Sequence, residues 1–221
     1  VFLATTALKE FWDASGEVLV LGPWCVRFED PDWLPGVRHR RLPNVWDDRA
    51  RLERCALYAQ DVQVELLDAL AAYLTEVHGT RLSRRYWRIL LGGWLLYYTH
   101  QLLDRYTQVS EAFKAFPEAV SLALDPEDYR VPRDTAEFLP LYHTDHYNLQ
   151  LYSLIFRFLG KDFPRRRHAP PPLPAPAPRG RLRAWADGAA ASGSRWALGA
   201  RGADIVTDEL YPTGQRLLWR L

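Results

Sequence analysis

Apolar positions along the chain fall into distinct spacings, and each spacing predicts a different element. Residues 2–6 form a short apolar run. Glu17-Val18-Leu19-Val20-Leu21 form a second, which stops at Gly22-Pro23. Short continuous runs closed by Gly or Pro read as buried parallel strands followed by turns. Leu52, Cys55, Ala56, Ala59, Val62, Leu66, Leu67, Leu70 and Leu74 instead recur at three- and four-residue steps. That spacing predicts an amphipathic helix with a charged back. Its start falls in Asn44-Val45-Trp46-Asp47-Asp48-Arg49, where Asn44 or Asp47 is suited to cap and Asp47 and Asp48 suit the positive end of the helix dipole. It runs to about Val77, with Gly79 as the stop.

Ser83 can cap a second long helix reaching Phe116. Tyr86, Trp87, Ile89, Leu90, Leu91, Trp94, Leu95, Leu96, Tyr97 and Tyr98 leave its first half almost no polar side, so that half is expected to be buried all round. Gly92-Gly93 in its middle costs about 1 kcal/mol per glycine relative to Ala, and predicts a close approach by another backbone or a ligand. Residues 119–124 form a further strand candidate. Asp134 caps a short helix around Glu137, and Asp145 opens a last helix that runs to Leu159 and ends at Gly160. Residues 164–183 then hold seven prolines and six arginines with no acid, which predicts an extended basic linker. The expected division is therefore an α/β domain over 1–163, a Pro/Arg-rich linker over 164–192, and the truncated start of a second α/β domain over 193–221. In that last segment Trp196 to Gly199 and Ile205 to Thr207 read as strands, followed by a helix from about Thr213.

Composition narrows the function classes. The 221 residues carry 28 basic and 27 acidic side chains, a net charge of +1, so nothing global favours nucleic acid. Only Lys9, Lys114 and Lys161 are lysines; the arginine excess suits phosphate and carboxylate contacts, and it also follows from a GC-rich genome. Cys25 and Cys55 are too few for a disulfide framework and lack metal spacing, so neither a metal nor another cofactor is expected. No signal peptide opens the chain. The most apolar stretch, Ile89 to Tyr98, is too short for a bilayer span, which needs about 20 residues. A cytoplasmic protein is expected. The absence of Met and an end inside an apolar helix pattern suggest a piece of a longer reading frame.

No P-loop, GxGxxG, GxSxG or HExxH pattern occurs. The candidate chemistry is therefore dispersed. Trp24, Cys25 and Arg27 follow the carboxyl end of a strand, where α/β proteins bind ligands. Cys25 has no neighbouring His to lower its pKa as a nucleophile. Asp47, Asp48 and Arg49 open the first long helix; a cap with a surface ion pair explains them equally. Arg84, Arg85 and Arg88 share the start of the second and suit a phosphate or sugar acid, or else a solvated face. Asp104-Arg105 is an internal ion pair or a polar site. His146 beside Asp145 suits a general base better than a metal ligand, and a polar helix start is the alternative.

Several of these segments also carry a resemblance. Phe2 to Leu8 with Glu10-Phe11-Trp12-Asp13, Leu21-Gly22-Pro23-Trp24-Cys25, Trp46-Asp47-Asp48-Arg49, and Tyr86-Trp87-Arg88-Ile89-Leu90-Leu91-Gly92 with Trp94-Leu95 resemble a family of transferases. Members of that family are found in bacterial surface-carbohydrate and O-antigen gene clusters. The resemblance covers roughly residues 1–163. The family tends to show Trp-Asn-His where this chain has Tyr147-Asn148-Leu149. It implies a Rossmann-like, glycosyltransferase B-like N-terminal half of a two-lobed enzyme, with the nucleotide-sugar donor held mainly by the other lobe and a glycan or lipid-linked acceptor by this one. On that view the chain alone is inactive. Catalytic candidates are Asp47, Asp48, Asp145 and His146; substrate-binding candidates are Trp24, Arg27, Arg49, Arg85 and Arg88. The basic linker suits a peripheral contact with anionic lipid at the inner face of the membrane. A non-catalytic module for glycan or sugar phosphate is the competing reading.

Overall fold

The computed structural model describes residues 1–27 and 34–172. The strands and helix expected after residue 193 lie outside the described residues. Residues 1–171 form one compact unit.

Three strands, β1 (Phe2–Ala4), β2 (Val18–Val20) and β3 (His39–Arg41), form a parallel sheet in that order. Leu3 pairs with Leu19, and Leu19 with Arg40. β1 and β2 are buried along their whole length. β3 is exposed throughout and carries His39, Arg40 and Arg41; the two arginine charges blunt this sheet edge. On the other side of β1, Leu3 N–H donates to Val120 O at 2.7 Å and Val120 N–H to Val1 O at 3.1 Å. The expected strand near 119–124 is thus a parallel bridge to Phe2 plus a short β4 (Ala123–Leu124). β4 pairs in parallel with β5 (Arg165–Arg166). The extended segment expected to leave the domain at 164 therefore stays on it for several more residues.

α1 (Arg49–Val77) and α2 (Arg84–Ala115) form a long hairpin. Asp48, not Asn44 or Asp47, caps α1: its carboxylate accepts from Arg51 N–H. Ser83 caps α2 as expected. Gly79, at φ +60°, ends α1; Thr80 N–H donates back to Thr75 O and Gly79 N–H to Glu76 O, the paired bonds of a left-handed C-terminal stop. The second half of α2 lies on the sheet, where Val109, Ala112 and Phe113 join Leu3, Val18 and Leu19 in the main core. Its first half packs mainly against α1, around a thin core of Leu67, Ala71, Trp87 and Leu95, with Trp94 and Tyr98 also touching Phe138 of the following short helix. This overturns the expectation of all-round burial: Ile89 is 71% exposed, and Leu90, Leu96 and Tyr97 are also exposed. One neighbouring helix covers only one side of another. Gly92 is not a site of forced approach either, since a Cβ there would meet only Arg88 Cγ at 3.7 Å; its carbonyl accepts from Gln63 Nε2 of α1.

α3 (Thr135–Leu141) is capped by Asp134 as expected, and α4 (Asp145–Phe158) by Thr144 rather than Asp145. α4 is the most buried helix among the described residues, with Leu149, Leu151, Tyr152, Ile155 and Phe156 all under 5% exposed. Each such side chain contributes about 1.5–3 kcal/mol by leaving water.

Candidate functional site

Strands β1 and β2 both end at one edge of the sheet, and polar groups gather there. After β2, Pro23–Cys25 make a 3₁₀ turn that folds the Trp24 ring back over Gly22. A Cβ on residue 22 would lie 2.1 Å from the Trp24 ring, so only glycine permits this pose. Below it, Cys25 Sγ–H donates to Ala4 O at 3.2 Å. Burial pushes that thiol up to about 12, which removes it as a nucleophile at neutral pH.

The Arg105 guanidinium faces the Trp24 ring at 5.8 Å and the Tyr152 ring at 6.0 Å, within cation–π range. It is held in place by Asn148, whose Oδ1 accepts from Arg105 Nε at 3.0 Å, from a terminal Arg105 nitrogen at 2.9 Å and from Gln101 Nε2 at 3.0 Å. Asn148 Nδ2 in turn donates to the carbonyls of Tyr142 and Thr144. Arg105 also pairs with Asp104, and Asp104 accepts from Trp46 Nε1 at 2.5 Å and from Gln108 Nε2 at 2.6 Å. Three donors thus share the charge of Asp104, while one edge of Arg105 rests on a neutral amide. A guanidinium fixed this way is prepared for an anion. Arg105 borders an open cleft of about 430 Å³ with Leu96, Tyr97, His100, Gln101 and Tyr142. Against Arg105, the indole N–H of Trp24 and the hydroxyl of Tyr152 are both buried.

A model of the LIC12162 family of transferases matches residues 1–173. The chain belongs to that family. Comparison with curated proteins and with solved structures finds no match. In this LIC12162 family transferase the match ends close to where the compact unit ends, at residue 171.

The candidate residues read from the sequence divide into three places. Trp24, Arg27 and Asp145 lie at the sheet edge, and Arg27 pairs with Asp145 at 2.9 Å. Asp47, Asp48 and Arg49 are exposed at the start of α1. Asp48 borders a second cleft of about 370 Å³ beside Arg51 and Glu111, which pair at 3.0 Å. Arg85 and Arg88 sit at the far end of the hairpin; sixteen residues of helix, about 24 Å, separate Arg88 from Asp104. Their neighbour Arg84 is tied to Asp68. His146 does not pair with Asp145. It is 2% exposed, and its Nε2 lies 3.1 Å from His168 O while Nδ1 has no partner. Burial lowers its pKa. Among the described residues no three His, Cys, Asp or Glu side chains are grouped as a metal would need.

Of the residues that organise this edge, the sequence points to Arg105 only as one half of an Asp104-Arg105 ion pair or polar site, and the two do pair; Asn148, Gln101, Gln108 and Tyr152 are not among its candidates. Their signal was periodic. Gln101, Asp104/Arg105 and Gln108 recur at three- and four-residue steps on α2, and Asp145, Asn148 and Tyr152 do so on α4. Polar positions at helical spacing inside two apolar helices mark a facing pair of polar stripes.

Proposed function

We propose that residues 1–171 hold the acceptor side of a glycosyltransferase-like enzyme of surface-polysaccharide synthesis. The observation that carries this reading is the preset Arg105 guanidinium, over aromatic rings, at the carboxyl edge of a parallel sheet in a transferase-family chain. The order β3–β2–β1, extended by the Val120 bridge, is that of half a doubly wound sheet, whose ligands bind at this edge. In this reading the acceptor is a glycan or lipid-linked sugar, the donor a nucleotide sugar presented by a second lobe, and the setting the cytoplasmic face of a membrane. No helix among the described residues is long and apolar enough to cross one.

The chemistry is a displacement at the anomeric carbon. The acceptor hydroxyl oxygen forms the new C–O bond, the bond to the donor phosphate breaks, and the phosphate leaves with the electron pair. Asp145 takes the hydroxyl proton; it is one-third exposed at the mouth of the edge. Arg105, helped by Arg27, stabilises phosphate charge, and Trp24 stacks on the sugar. Asp48 lines the second cleft, and Arg49 is exposed next to it in sequence.

In the whole enzyme, Arg105→Ala and Asp145→Asn should each lower transfer from nucleotide sugars by about a hundredfold, an effect of the size expected for one electrostatic or acid–base group. Melting temperature should change little for Asp145→Asn, whereas Arg105→Ala, which strips Asn148 of two donors and Asp104 of its cation, should also lower it. Retention of full transfer by both variants would remove this edge from the chemistry. A non-catalytic glycan or sugar-phosphate module is the second reading, favoured by the compensated Arg27–Asp145 pair and by Tyr97 and Tyr142 at the cleft. Saturable sugar-phosphate binding that Trp24→Ala abolishes, with no turnover by the whole protein, would select it.

A further inference from the structure

Tyr86, Ile89, Leu90, Leu96 and Tyr97 fall on one side of α2, with Ile89 and Leu90 three and four residues after Tyr86, and Leu96 and Tyr97 seven residues after those two, and each is between 37% and 71% exposed. Arg85 and Arg88 flank this stripe and make no ion pair among the described residues. From Val77 to Leu103 the sequence holds four arginines and no Asp or Glu. The exposed side of α2 is thus apolar along its centre, with Arg85 and Arg88 at its border, while the Asp68 carboxylate of α1 is taken up by Arg84.

We propose that this face of α2 docks on the surface of an anionic bilayer. An apolar stripe bordered by arginines lies in the membrane interface with its apolar side chains at the acyl boundary, while guanidinium groups reach the headgroup phosphates. Charge selects lipid over a second copy of this chain. A second copy laid on the same face would bring more arginines and no carboxylate from that stretch, whereas lipid phosphates supply the missing negative charge. Leu96 and Tyr97 also line the Arg105 cleft, so the stripe leads from the membrane toward the guanidinium. That continuity rests on the reading of Arg105 given above; the docking does not.

The test is co-sedimentation of the 221-residue chain with vesicles of equimolar phosphatidylglycerol and phosphatidylcholine, against vesicles of phosphatidylcholine alone. The chain should sediment with the anionic vesicles, and less so as salt is raised. Each arginine near an anionic surface strengthens binding about fivefold, so the double variant Arg85→Ala/Arg88→Ala should partition about thirtyfold more weakly. Ile89→Ser/Leu90→Ser should also release the chain. Both pairs are exposed, and circular dichroism melts should match the parent. Failure to sediment with anionic vesicles overturns the proposal, as does equal sedimentation of the arginine variant. Light scattering that shows this face closed by a second copy also overturns it. Failure of docking leaves the Arg105 reading intact, because transfer and sedimentation are measured separately.

Discussion

Single residues decide the two most local features of this molecule. Gly22 matters because of the ring folded onto it, and Asn148 because it receives three donors and returns two. Asp48 is the residue whose role the structure changes most. Its carboxylate accepts from Arg51 N–H at 3.1 Å, which satisfies one of the free amides at the start of α1. Asp48→Ala should therefore cost about 1 kcal/mol of stability, and Asp48→Asn only a few tenths, because Asn caps as well as Asp. Urea unfolding of the two variants checks this. Equal losses for Asn and Ala would show that the negative charge at the second cleft, which both variants remove, and not the cap, is what the fold uses. If both variants also keep transfer in the whole enzyme, Asp48 is a structural cap alone.

At the scale of elements, the hairpin and the sheet layer are stabilised by separate cores. Leu95 is 1% exposed and packs with Leu67, Ala71 and Trp87, none of which belongs to the cluster around β1 and β2. Leu95→Ala should cost about 2–4 kcal/mol, the usual range for a buried leucine. The loss should be local: amides in α1 and the first half of α2 should exchange faster while those of α4 keep their protection. Equal loss in α4 would mean one cooperative core. The elements themselves were readable because helical spacing, Ser83, Asp134, Gly79 and Gly160 are all local signals. What covers a helix is not local. The first half of α2 looks buried from its composition, yet only α1 and a little of α3 lie against it. The site was half readable for the same reason. Trp24 and Arg27 follow a strand end, a rule of chain order. Arg105 and Asn148 meet only when α2 and α4 are packed face to face, and each polar residue looks ordinary alone.

At the scale of the whole molecule, the question is where the folding unit closes. The segment after Phe163 is basic and proline-rich, but its first residues are tied to the body. Arg167 donates to Asp128 at 2.7 and 2.9 Å, His168 N–H donates to the same carboxylate at 2.8 Å, and His168 O lies against His146. Arg167 and His168 hold the Asp128 carboxyl below its ordinary value of 3.8, while burial holds His146 below 6.5. Both lowered values have the same sign for stability. The unfolded chain binds more protons than the folded one, so each contribution is complete above the ordinary value and fades as the solution becomes more acidic. The unit 1–171 should thus lose stability in two stages, first below pH 6.5 through His146 and then below about pH 4.5 through its paired carboxylates, Glu111, Glu137, Asp68 and Asp128. Ending the chain after Pro171 should leave the melting profile of this unit unchanged between pH 3 and 8. Ending it after Phe163 removes Arg167 and His168, so it should lower the melting temperature at pH 7 and shrink the acid stage by the share of Asp128, which then has no partner to lose. If the two shortened chains gave the same pH profile, the domain would close at 163, and the basic segment would be a linker from its first residue.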